Sequence, residues 1–178
     1  MKTRIVSFLA AVAFASAATV ASAAGSSVTV DSEQFIKEAI QGNLAEQKLG
    51  QLAQDRGGSE AVRSFGATLK SDHSEAYREA TQAAHSMGVM PPSEPSAKQQ
   101  ATYDKLAKLS GDQFDRTFAR DMVSDHKKDI AEYEKETKAS DEAGSYAKQT
   151  LPKLREHLQM AQKLAGDSRA ARNDQPTD

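Results

Sequence analysis

Gly88-Val89-Met90-Pro91-Pro92-Ser93-Glu94-Pro95 decides the fold, because this stretch cannot be helical throughout while the sequence on either side of it can. Proline lacks the N–H that a helix interior needs, and it pushes the residue before it out of the helical region. On both sides Ala, Glu, Lys, Gln and Leu dominate, with few β-branched residues after Val30, which reads as all-α. Upstream, a first helix is expected from Asp31, a good N-cap, to Gln54, ended by Gly57-Gly58. A second should run from Ser59 to Met87 and stop at Gly88. Downstream, a short helix over Ala97–Leu109 is closed by Ser110-Gly111. The third long helix then spans Asp112 to Lys138, and the fourth runs from Ser140 or Asp141 to Ala165. Pro152 should kink or restart the fourth, since it removes one backbone donor. Short links join helices one to two and three to four, while about 24 residues separate two from three, as in a four-helix bundle with one long crossover. That is the ferritin-like connection. It sets helix one parallel to helix four, and helix two parallel to helix three.

The ends of the chain have a different character. Lys2 and Arg4 precede an apolar stretch from Ile5 to Val20, and Ala21-Ser22-Ala23 gives a small-residue cleavage pattern. Residues 1–23 therefore read as a signal peptide, 24–30 as a linker, 31–166 as the bundle and 167–178 as a disordered polar tail. No later stretch offers the run of about 20 apolar residues that spans a bilayer, so the mature chain is expected to be soluble and periplasmic. The chain has no cysteine, which excludes lipid attachment of the bacterial lipoprotein kind, disulfides, thiolate metal sites and cysteine nucleophiles. Lys and Arg number 23 against 25 Asp and Glu; without Lys2 and Arg4 the mature chain carries about −4. With no basic face and no tryptophan, nucleic acid is not an expected partner.

The tripeptide Ser-Asp-His occurs twice, at Ser71-Asp72-His73 and Ser124-Asp125-His126, each six residues after a phenylalanine, Phe65 and Phe118. On the first helix the apolar stripe Phe35, Ala39, Gly42, Leu49 and Ala53 has one missing member, and that position holds Glu46. At about 100° per residue, Asp72 and His73 straddle the stripe of helix two, and Asp125 and His126 straddle that of helix three. His157 lies at the stripe edge of helix four, with Glu156 facing solvent. All of these fall about fifteen residues from their helix starts, so the crossover topology brings Glu46, Asp72, His73, Asp125, His126 and His157 into one layer. Buried carboxylates and imidazoles at one level can bind Fe, Mn, Zn or Cu. Alternatively they form a metal-free Asp–His network that fixes helix register. His85, near the end of helix two, reads as a surface residue.

Several segments match a known pattern: Phe35-Ile36-Lys37-Glu38-Ala39, Gly42-Asn43-Leu44-Ala45-Glu46, Ser71-Asp72-His73, Phe114-Asp115-Arg116, Asp125-His126-Lys127-Lys128 and Leu151-Pro152-Lys153-Leu154-Arg155-Glu156-His157-Leu158. In combination they resemble the exported bacterial proteins grouped as domain of unknown function 4142, over residues 31–166. The resemblance implies a ferritin-like fold and no established activity. The Glu-x-x-His pair of di-iron bundles occurs nowhere in the chain, which speaks against ferroxidase or oxygenase chemistry. Two functions follow as expectations. One is an exported metal-binding or stress-protection protein. The other is a non-enzymatic envelope protein with a protein partner or a second copy of itself, its layer serving as a packing device. An enzyme ranks third, as no nucleophile or substrate pocket is legible.

Overall fold

The structure, a computed structural model, describes residues 29–173, with side chains to residue 167. The signal-peptide reading and the last five residues lie outside the described residues. The described residues form five helices: α1 Val30–Arg56, α2 Glu60–Ser86, α3 Ala97–Leu106, α4 Gly111–Glu136 and α5 Glu142–Asn173. No helix among the described residues is long and apolar enough to cross a membrane.

Local chemistry sets the helix ends. Thr29, not Asp31, caps α1, its side chain accepting from the Ser32 N–H. Ser59 caps α2 through the Val62 N–H, as the sequence implied. Ser96 and Gln99 form a capping box on α3. Gly88, with φ +71°, takes the left-handed conformation that ends α2, and the chain then turns into the proline-rich crossover. Neither a helix restart at Pro152 nor a helix end at Ala165 occurs. Pro152 sits inside a continuous α5, which also runs past the expected end at Ala165 and through residues 167–173.

The helices pack as two hairpins, α1 with α2 and α4 with α5, joined side by side through the α2–α5 and α1–α4 seams. The end of α1 meets the start of α4: Gly57 and Gly111 form an isolated parallel bridge. Just inside α4, Asp115 accepts from the Gly58 and Ser59 N–H groups, both at 2.8 Å. At the opposite end Phe35 stacks edge-on against Tyr133, with ring centroids 4.8 Å apart. The α1 and α5 helices therefore run parallel, as do α2 and α4. This is the bundle with one long crossover that the proline stretch predicts, and α3 packs on α1 and α4.

The core is divided. One apolar cluster contains Ile36, Ile40, Ala80, Tyr133, Tyr146, Leu151 and Leu154. The other contains Leu49, Phe65, Leu69, Phe114, Phe118, Met122 and Ala161. On every long helix at least one polar residue is buried between the two clusters: Asn43 and Glu46 on α1, His73 on α2, His126 on α4 and His157 on α5.

Candidate metal centre

The doubled Ser-Asp-His motif works because α2 and α4 are parallel. Similar distances from the helix starts then give similar depths. Phe65 and Phe118 meet in one apolar layer with centroids 6.1 Å apart. Two turns further along each helix, His73 and His126 meet at 6.0 Å. His157, from α5, completes a triangle, 5.2 Å from His73 and 5.4 Å from His126. All three are buried, at 4%, 1% and 1% exposure. One ring nitrogen from each lies within 4.8 Å of the other two.

The second nitrogen of every ring is already engaged. His73 Nδ1–H donates to Asn43 Oδ1 at 2.8 Å, and Asn43 in turn donates to the Tyr146 hydroxyl at 2.8 Å. His126 Nδ1–H donates to the Met122 carbonyl one turn earlier, at 3.0 Å. His157 Nε2–H donates to Asp72 Oδ2 at 2.9 Å. These acceptors assign the tautomers. They leave His73 Nε2, His126 Nε2 and His157 Nδ1 as lone pairs, each buried with no hydrogen-bond partner. Burial, and then the repulsion that neighbouring imidazoles would exert if protonated together, lower the pKa values of His73 and His126, the latter to about 4. Burial also lowers His157, although Asp72 opposes the shift. The triad is thus three neutral imidazoles with inward lone pairs, the state in which imidazole ligates a metal.

The carboxylates of the expected layer do not join this triangle. Asp72 is half-buried on the α2–α5 side, held by His157 and lying 3.8 Å from Lys153 Nζ. It stands behind a ring rather than in the triangle. Glu46 is 3% exposed, and neither of its oxygens has a well-formed hydrogen bond. Asp125 and Asp129 are its nearest charged neighbours. Burial raises the Glu46 pKa well above the usual range, and Asp125 and Asp129 push it further. Burial, and then the charge of Asp125, raise Asp129 to about 7, with Lys128 opposing the shift. The single expected layer is therefore two adjoining groups, an imidazole triangle and an acidic group between α1 and α4. The reason is helical phase: Asp72 and Asp125 each sit about 100° from the histidine that follows.

Sequence reasoning missed Asn43, Tyr146 and Asp129. The α1 stripe was set on Phe35 and Gly42, which are only half-buried, whereas Ile36, Ile40 and Asn43 are buried. Placing the stripe one residue later would have shown a second polar position, Asn43, beside Glu46. His85 and Glu156 are exposed, as expected.

The comparisons bear on fold and family. No curated protein matches the chain in sequence. Among solved structures, the crystal structure of a DUF305 fragment from Deinococcus radiodurans superposes with a TM-score of 0.69. The two chains are 20% identical, and the match covers 78% of this chain and 97% of that one. At that identity the likeness concerns the fold alone. The model of the family described as domain of unknown function (DUF4142) matches residues 16–164, most of the chain, so this protein belongs to the DUF4142 family.

Proposed function

We propose that His73, His126 and His157 bind one transition-metal ion, and that the protein is an exported metal-binding bundle of the periplasm. One observation carries this reading: three buried ring nitrogens converge without a hydrogen-bond partner, while the other nitrogen of each ring is tied to an acceptor. A packing network would be expected to pair those lone pairs, because leaving a buried polar atom unmatched costs about 1–3 kcal/mol. A metal ion uses all three.

The donor set narrows the metal. Three imidazoles without carboxylate or thiolate suit zinc or copper rather than manganese, and they depart from the carboxylate-rich di-iron pattern. Metal–nitrogen bonds of about 2.0–2.1 Å need N···N separations of about 3.3–3.6 Å, so each ring closes in by less than about 1 Å. Asp72 accepts from the far side of His157, an arrangement that fixes a ligating ring and raises its basicity. Asn43 and the Met122 carbonyl do the same for His73 and His126. Export is supported by the charged and apolar character of residues 1–23. A role in envelope metal homeostasis or stress protection follows from the site and that address together.

The test is the elemental content of protein purified from the periplasm without affinity tag or chelator. One equivalent of zinc or copper per chain is expected, lost in the His73→Ala/His126→Ala variant. A folded protein that neither carries nor takes up metal overturns the proposal.

A further inference from the structure

The α1–α4 seam is the loosest of the four sides of the bundle, and a cleft of about 470 Å3 opens there, partly roofed by α3. His73 is the one member of the triad that lines it, together with Asp125 and Asp129. Behind these two, Glu46 is buried with both oxygens unpartnered, close enough to feel both of their charges. Three lysines also line the cleft. Lys105 is tied to Asp121 at 3.1 Å and Lys128 to Glu132 at 3.3 Å, while the charges of both Lys128 and Lys98 act on Asp125. The ion pairs of Lys105 and Lys128 are thus made with carboxylates other than Asp125, Asp129 and Glu46, although Lys128 also offsets the charges of Asp125 and Asp129. The cleft and the wall behind it still hold three neighbouring carboxyls, Asp125, Asp129 and Glu46, against the charges of Lys98 and Lys128.

We propose that this cleft is the loading route of the metal centre, with Asp129, Asp125 and Glu46 forming a cation vestibule that captures a divalent ion and passes it to His73. The inference rests on the three-histidine site proposed above and adds how the ion reaches it. A bare divalent ion cannot cross the apolar clusters on either side of the histidine layer, because an uncompensated buried charge is prohibitive there. On the α2–α5 side the route is closed by Asp72, already bonded to His157. The α1–α4 cleft offers water, oxygen ligands and one histidine edge in sequence. A cleft lined by carboxylates and walled by low-dielectric protein concentrates cations and speeds their capture. Oxygen ligands hold such ions more weakly than three imidazoles, so transfer runs inward.

The experiment is stopped-flow loading of metal-free protein with Co2+, followed by visible absorption. Compared with wild type, Asp125→Asn/Asp129→Asn should load about ten-fold more slowly at low ionic strength. Its final spectrum and affinity should be unchanged, and release should slow by the same factor because the equilibrium constant is fixed. Gly42→Leu provides a second variant: Gly42 lines the cleft and has open space around it, its nearest neighbour being Gln99 Nε2 at 3.8 Å. Filling the cleft there should slow loading without touching a charge. Loading at wild-type rate in both variants overturns the vestibule while leaving the histidine site standing. A changed final spectrum in the Asp variant also overturns it, by making a carboxylate a ligand. Failure of the wild type to bind Co2+ at all would instead remove the histidine site itself.

Discussion

His157 presents Nδ1 to the interior, and His73 and His126 present Nε2, because each ring hands its other proton to a different acceptor. The three acceptors predict graded effects. Asp72→Ala removes a charged acceptor and frees His157 to rotate, so metal affinity should fall about 10–100-fold while the stoichiometry stays at one. A titration of the variant checks this. The buried groups also make stability depend on pH in two opposed ways. His126 stays neutral down to about 4, whereas in the unfolded chain it protonates near 6.5. The unfolded state binds more protons in that window, so this contribution falls as pH falls from 6.5 to 4. Asp129, raised from 3.8 to about 7, does the reverse: the folded state binds more protons in between, so its contribution falls as pH rises through that range. Metal-free His126→Phe should therefore gain on wild type as pH drops from 7 to 4. Asp129→Asn should gain as pH rises from 4 to 7 and level off above it. Urea unfolding across pH measures both, and a difference from wild type that does not change with pH contradicts the assignment.

At the scale of the element, α1 and α2 touch backbone to backbone. A Cβ on Gly66 would lie 2.7 Å from Ala53 Cβ and from the Gly50 carbonyl, and one on Gly50 would lie 2.6 Å from the Gly66 carbonyl. Gly66→Ala should cost about 1–3 kcal/mol through overpacking, more than the roughly 1 kcal/mol gained in helix propensity. Gly166, in α5 with nothing within 4 Å, is the contrasting site. There the same change should be neutral or stabilise by up to about 1 kcal/mol. Thermal unfolding of the two variants should move in opposite directions or, for Gly166, not at all. Helix positions were legible in the sequence because caps and prolines act locally: Ser59, Gly88 and the Pro91–Pro95 stretch mark boundaries that the structure keeps. Less legible was helical phase. One residue of rotation on α1 exchanges Phe35 and Gly42 for Ile36 and Asn43, and the sequence pattern fits either choice. Pro152 illustrates another limit, since α5 continues through it although it lacks the backbone donor a helix interior uses.

Across the whole molecule, a polar layer cuts the core into two apolar clusters at one height on all four long helices. Its depth was readable because parallel helices with similar offsets must meet, which is why the three histidines could be grouped from sequence. Their separation from Glu46 and Asp125 was not readable, as it depends on which seam of the bundle stays open. A layer with unpaired lone pairs weakens the apo bundle, so metal should stabilise it globally. At free metal 100-fold above Kd the gain is about 2.7 kcal/mol, visible as a raised Tm that vanishes with chelator. The measurement closest to the central claim is an equilibrium Co2+ titration of metal-free wild type beside His73→Ala/His126→Ala, read by visible absorption and circular dichroism. One equivalent with strong four-coordinate bands in the wild type, and none in the equally helical variant, is the predicted result. A folded wild type that shows no bands, or a variant that binds as well as wild type, would contradict the three-histidine site.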